Sequence, residues 1–129
     1  MKKIVYIFLF FALVSNCFGQ DTTKKEVYTV VETMPEFPGG SLEMMKFMQK
    51  NVHYPEDAKK KGIVGKSFVK FIVEEDGSIS NQQIIKSSGN ESLDKEALRV
   101  ISLMPKWKPG FQKGKPVRTY FNIPLIFKL

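Results

Sequence analysis

The chain has one cysteine, one histidine and one tryptophan in 129 residues. A lone histidine, His53, cannot build a multi-histidine metal centre. Beside a Tyr-Pro turn it reads as a partly exposed ring and not as a catalytic base. A lone cysteine excludes an intramolecular disulfide framework. No glycine-rich loop follows a strand, and Gly39-Gly40, which precedes a helix, lacks the lysine and serine of a phosphate loop. Internal repeats and low-complexity spacers are absent. The acids also have local explanations: Asp76 belongs to a turn, and Asp94 and Glu96 suit a helix start. The sequence therefore predicts no catalytic residue, no metal, no cofactor and no enzyme.

Only the amino terminus carries a long apolar run. Lys2 and Lys3 precede Ile4 to Val14, followed by Ser15, Asn16, Cys17, Phe18 and Gly19. A basic start, a short apolar stretch and a small-residue exit read as a secretory signal over residues 1–19. As a helix, Ile4 to Val14 reaches about 16 Å against a hydrocarbon core of about 30 Å. The alternatives are a lipid anchor at Cys17 or an inner-membrane anchor over residues 4–18. Ordinary cleavage removes the only cysteine, which suits an oxidising compartment and excludes thiolate chemistry. It also removes two lysines and no acid, taking the net charge from +7 to +5. Export makes nucleic acid a poor partner for that charge, and the run Lys59-Lys60-Lys61 is explained as cations at a helix carboxyl end.

What remains has room for one domain over residues 34–129, preceded by a short extension, residues 20–33, with one candidate strand at Val27 to Val31. Met34-Pro35-Glu36-Phe37-Pro38-Gly39-Gly40 breaks regular structure. Ser41 then reads as the N-cap of a helix to Asn51, with Leu42, Met45 and Met48 on one face and the methionines Met44, Met45 and Met48 as core filler. Tyr54-Pro55 opens a short helix with Glu56 and Asp57 at its positive end, the lysines at its negative end and Gly62 closing it. Gly65 to Glu75 and Ser78 to Ser87 read as a hairpin around Asp76-Gly77, in the turn type that needs positive φ at both central residues. Val69, Phe71 and Val73 share a face of its first strand; the second rests on Ile79, Ile84 and Ile85. Ser92 to Met104 carries Leu93, Ala97, Val100, Ile101 and Met104 on one helical stripe and ends at Pro105. Trp107 reads as a packed aromatic anchoring the crossover to the last element, with an exposed patch shared with Phe111 as the alternative.

That last element, Val117 to Leu129, alternates. Val117, Thr119, Phe121, Ile123, Leu125, Phe127 and Leu129 lie on one side, and Arg118, Tyr120, Asn122 and Lys128 on the other, as in a half-buried strand. Pro124 has no N–H to give, which places the strand on a sheet edge. Helix, helix, hairpin, helix, strand predicts an α+β two-layer sandwich: a small antiparallel sheet, helices on one face and a C-terminal edge strand. An open edge with an apolar face can take up an extended segment of another protein by strand addition.

Several ordered strings then point to one family. They are Met34 to Gly40; Tyr54-Pro55 with Ala58; Gly62-Ile63-Val64-Gly65-Lys66; Asp76-Gly77-Ser78-Ile79; Leu93-Asp94 with Glu96 to Ile101; Met104-Pro105-Lys106-Trp107-Lys108-Pro109-Gly110; and Gly114-Lys115-Pro116-Val117. Over about residues 27–129 the chain resembles the carboxy-terminal domain of TonB-type energy transducers, in the form common in Bacteroidetes. The resemblance implies a periplasmic domain that grips the TonB box, an extended segment of outer-membrane receptors, by adding it to the sheet edge. Its partner-binding residues would be Arg118, Thr119, Tyr120, Phe121, Asn122, Ile123, Ile126 and Phe127, with Tyr54 and Pro55 beside the docked segment. A complete transducer of this kind has a retained helix meeting an inner-membrane motor protein and a long Pro-rich spacer. Here about 14 residues separate Gln20 from Met34, at most roughly 50 Å of extended chain, so the expectation is a stand-alone domain unless another chain tethers it to that motor. The alternatives are a structural or assembly module whose edge pairs with a second copy as a homodimer, and an envelope lipoprotein.

Overall fold

A computed structural model describes residues 25–129. The expected signal, its alternatives at Cys17 and at residues 4–18, and the start of the extension lie outside the described residues. The elements in order are β1 (Val27–Tyr28), α1 (Ser41–Asn51), α2 (Glu56–Lys60), β2 (Gly65–Val73), β3 (Ile79–Lys86), α3 (Glu91–Ser102), β4 (Gly110–Gln112) and β5 (Lys115–Phe127). The architecture is α+β, with three helices and a sheet ordered β1-β5-β2-β3, and β4 paired to β5.

The sheet is built on one long ladder. β2 and β5 pair antiparallel in unbroken register from Gly65↔Phe127 to Val73↔Thr119. That register puts Val69 beside Ile123 and Phe71 beside Phe121, so the alternating apolar residues of both strands fall on the same face. α3 covers that face with Leu93, Ala97, Val100 and Ile101, all fully buried. Every buried hydrophobic among the described residues lies between Val31 and Phe127. Trp107 is buried at the centre of a cluster with Phe37, Phe71 and Phe121, ring centroids 5.7, 5.4 and 5.0 Å away. This is the packed crossover anchor, while Phe111 is 37% exposed.

Several local expectations change in the structure. β1 is two residues long and parallel to β5, so the sheet is not purely antiparallel. The hairpin turn has positive φ at Gly77 but not at Asp76. Gly77 N–H bonds the Glu74 carbonyl at 2.8 Å and Glu74 N–H bonds the Ser78 carbonyl at 2.8 Å, the pattern of a type I turn followed by a glycine bulge. Asp76 then accepts from the Ser78 N–H at 2.9 Å. The consecutive isoleucines of β3 fall on opposite faces by ordinary strand alternation: Ile84 packs on the core and Ile85 points to solvent, next to a register shift in the β2–β3 ladder. On α1 the packing residues are Met44, Phe47 and Met48, while Leu42 and Met45 are exposed. Gly40, not Ser41, is its N-cap. The cap of α3 is Asn90, whose side chain accepts from the Leu93 N–H at 3.0 Å.

Asp94 and Glu96 do more than meet a helix dipole. Asp94 Oδ1 accepts from Ser67 Oγ at 2.8 Å, Ser88 N at 2.9 Å and Ser88 Oγ at 2.8 Å, and Oδ2 accepts from Ser87. The carboxylate ties α3 to both ends of the hairpin. Burial pushes its pKa up, but the hydrogen bonds from Ser87, Ser88 and Ser67 outweigh that and hold it below the usual 3.8. Because the folded-state pKa is lowered, the stabilisation is complete well above pH 3.8 and is lost as pH falls through the depressed value. Asp94→Asn is therefore expected to destabilise the domain by about 1–3 kcal/mol at neutral pH. Urea midpoints of the two proteins should converge in acid, and a constant gap down to pH 2 would contradict the assignment.

Candidate functional site: an open strand edge beside a helix

Strand β5 has two unequal flanks. Toward β2 it is paired from Thr119 to Phe127. On the other flank β1 pairs with Arg118 and Thr119 only, and Tyr120 to Phe127 have no strand partner there among the described residues. Nearer its start, β5 pairs with β4 from Lys115 to Val117. Among the described residues of β5 only Thr119 has strand partners on both flanks, and β5 is an edge from Tyr120 to Phe127. Pro124 lies in that edge stretch, where a missing N–H is tolerated.

The fold itself uses the first two residues of the expected binding set. Arg118 donates from Nε to Glu74 Oε1 at 2.7 Å and from Nη1 to the Lys25 carbonyl at 2.8 Å. Its hydrogen bond lowers the Glu74 pKa and raises its own, against burial. Thr119 is fully buried, with its hydroxyl donating to the Val117 carbonyl at 3.1 Å. Ile123 and Phe127 are buried on the core side, with Phe121 partly buried beside them. Asn122 and Ile126 are exposed, and Tyr120 is half-buried under the Lys70 ammonium, 4.1 Å above its ring. Along Tyr120 to Phe127 the free flank therefore offers mainly backbone.

A groove of about 420 Å³ runs beside this flank, lined by Met45, Met48, Gln49 and Val52 on one side and by Pro124 to Lys128 on the other. The α1 wall was not expected to contribute. Its sequence signal was a second apolar stripe: Leu42 and Met45 sit beside the true core stripe Met44, Phe47 and Met48, and a helix apolar on more than one face has more than one thing to cover. Tyr54 does not line the groove but packs against Phe127, which does. Its ring stands edge-on to Phe127 at 5.9 Å and its hydroxyl donates to the Ile63 carbonyl. Pro55 is the half-buried N-cap of α2.

The link between α1 and α2 is pinned from α3. Glu96 accepts from the His53 N–H at 2.7 Å and from Arg99 Nε and Nη2 at 2.8 Å each, while Arg99 Nη2 also donates to the Asn51 carbonyl at 2.7 Å. Burial opposes charge on Glu96, yet the Arg99 guanidinium and the His53 N–H hold its pKa below the usual value. His53 itself is exposed and joins this link through its backbone. Among the described residues no group of three or more His, Cys, Asp or Glu is placed to hold a metal, and no helix is long and apolar enough to cross a membrane.

A family model described as Gram-negative bacterial TonB protein C-terminal matches residues 50–129. The chain belongs to this family. Protein TonB of Vibrio cholerae is 38% identical over 76 residues, which are 59% of this chain and 31% of that protein. Protein TonB of Helicobacter pylori is 27% identical over 115 residues, 85% of this chain and 39% of that protein. The chain thus spans about a third of the length of these curated relatives. The solution structure of the H. pylori TonB-CTD superposes with a TM-score of 0.51 at 28% identity, covering 71% of this chain and 86% of that one. The Pseudomonas aeruginosa TonB CTD gives 0.50 at 27% identity, over 60% and 77%. These relatives establish the TonB C-terminal family, not the Bacteroidetes form expected from the motif string. The strand side of the groove falls inside the matched region; Met45, Met48 and Gln49 precede it.

Proposed function

We propose that this domain grips an extended segment, the TonB box, of an outer-membrane TonB-dependent receptor by strand addition along Tyr120 to Phe127, in energy-coupled transport across the envelope. The observation that carries the reading is the unpaired half of β5 beside an apolar groove. Backbone pairing supplies attachment whatever the partner's sequence, and alternate side chains entering the groove beside Met45, Met48 and Val52 supply selectivity. Family membership supports this choice over an unrelated peptide binder. The domain works in the periplasm after signal cleavage, and force reaches it from an inner-membrane motor protein through whatever chain tethers it. Self-pairing through the same edge would give a homodimer; light scattering that shows dissociation on adding peptide distinguishes it from receptor capture.

The test is titration of the isotope-labelled domain with a synthetic peptide carrying a receptor's TonB box. Amide signals of Tyr120 to Ile123, of Leu125 to Lys128, and of Met45 to Val52 at the end of α1 are expected to move together, and those of β3 to stay. Shifts confined to β3, or none at saturating peptide, would remove the proposal.

A further inference from the structure

One end of the domain gathers five lysines that make no close ion pair among the described residues. The last turn of α2 carries Lys59 and Lys60, followed by Lys61; residues 62–64 then lead into β2. The start of β2 lies opposite the end of β5, with Gly65 beside Phe127 and Lys66 beside Ile126, so Lys66 and Lys128 belong to the same end. All five lysines are exposed, and among the described residues none makes an ion pair within 4.0 Å. Lys25, Lys46, Lys95, Lys106 and Lys108 each face a carboxylate, and the other described lysines without an ion pair, Lys50, Lys70, Lys86, Lys113 and Lys115, are spread over other parts of the chain, Lys70 and Lys86 lying over aromatic rings. The acids nearest in sequence are in the first turn of α2: Glu56 is exposed, and Asp57 is engaged by the Ala58 N–H and the Ser92 hydroxyl, both at 2.8 Å, with the Lys61 charge adding a smaller attraction. A helix dipole accounts for two or three cations on α2 but not for Lys66 and Lys128, which lie on strands.

Apolar side chains stand among these cations. Val64 is 53% exposed and Ile126 58%, both at the same end. A surface that held only an acidic peptide would gain little from them. Lysines with flexible stems around exposed aliphatic groups match a layer of anionic headgroups over acyl chain, where each cation adds attraction and each aliphatic group inserts. We propose that this end of the domain docks on a bilayer surface bearing anionic phospholipid. The groove ends at Lys128, so docking there holds the open edge of β5 against the membrane and raises its encounter rate with a membrane-embedded partner. This inference shares Ile126 and Lys128 with the groove of the strand-addition reading, but it takes a different ligand and draws its other lysines and Val64 from outside that groove.

Its test uses the chain from Gln20 onward, which contains the whole core and lacks the apolar run at residues 4–14 that would itself enter any bilayer. Co-sedimentation with phosphatidylglycerol vesicles is expected, with little or none on phosphatidylcholine, and with binding falling steeply as salt rises. Changing Lys59, Lys60, Lys61, Lys66 and Lys128 together to glutamine should weaken it at least roughly tenfold. The double change V64S and I126S should weaken it less but measurably. Inorganic phosphate at the concentration of accessible lipid should not displace the protein. Equal binding to both lipids, an unaffected five-lysine variant, or displacement by phosphate would each overturn the proposal. The fourfold change of Lys59, Lys60, Lys61 and Lys66, which lie outside the groove, should weaken vesicle binding yet still bind a TonB-box peptide, and Asn122→Pro should still bind vesicles, so failure of one reading is not failure of the other.

Discussion

Gly77→Ala is expected to lower the unfolding midpoint by more than about 10 °C, because two independent demands meet at this residue. Its φ is +89°, a conformation in which a Cβ is strained by roughly 1–3 kcal/mol. A methyl group there would also overlap the Trp107 carbonyl oxygen, which is backbone and cannot swing aside as a side chain would. The approach is close because the Gly77 carbonyl accepts the Trp107 N–H at 2.8 Å, joining the hairpin turn to the crossover that delivers Trp107 into the core. Moving that backbone drags the indole away from Phe71 and Phe121. A loss of at least about 3 kcal/mol follows, a large share of the stability of a domain this size. Gly62→Ala is the matched control. It has φ +65° but nothing within 4 Å of the added carbon, so it should show the backbone strain alone, about 1–2 kcal/mol. Equal midpoints for the two variants would mean that the turn and the crossover are not locked together.

The same contact marks the limit of sequence reading. Asp76-Gly77 announces a hairpin because its chemistry is local, but whether the turn has one or two residues at positive φ depends on the strands it joins. Helices α2 and α3 were legible for the same local reason: prolines, first-turn acids and an apolar stripe coincide. Strand β4 was not. Three residues are too few for a period, and its turn to β5 places Lys113 at φ 53° beside Gly114 at 76°, a position where lysine is no signal. The role of Asp94 was equally hidden, since Ser67 lies 27 residues away and meets it only through the fold. On α1, two overlapping stripes gave the helix but not which one faces the core.

The candidate site was legible as far as periodicity and one proline reach. Alternation located β5, and Pro124 indicated an edge, yet nothing local revealed that β1 would pair with Arg118 and Thr119 and leave only the second half free. That division bears on the length of a partner. A segment added beside Tyr120 to Phe127 abuts Tyr28 at one end and the α1 groove at the other, so pairing is confined to these eight positions unless β1 is displaced.

Asn122→Pro is expected to abolish capture of a TonB-box peptide while leaving the domain folded. Backbone groups alternate in direction along a strand, so residues 120, 122, 124 and 126 share one orientation. Proline at 124 is compatible with the unbroken β2 ladder if its nitrogen points away from β2, and the amide of Asn122 then points the same way, into the free flank. Substituting it removes a donor from the docking line and none from the ladder. The Asn122 side chain is exposed, so little packing is lost, and a stability change under about 1 kcal/mol is anticipated. Peptide affinity, by contrast, should fall at least roughly tenfold, since an incoming carbonyl loses its partner next to the gap already present at Pro124. Asn122→Ala keeps the amide and should bind like the parent. The peptide offers a reciprocal probe that leaves the protein untouched: N-methylation at alternate residues should block binding in one phase and be tolerated in the other, as only every second amide faces β5. Equal sensitivity in both phases, or full affinity in Asn122→Pro, would place the docking line elsewhere.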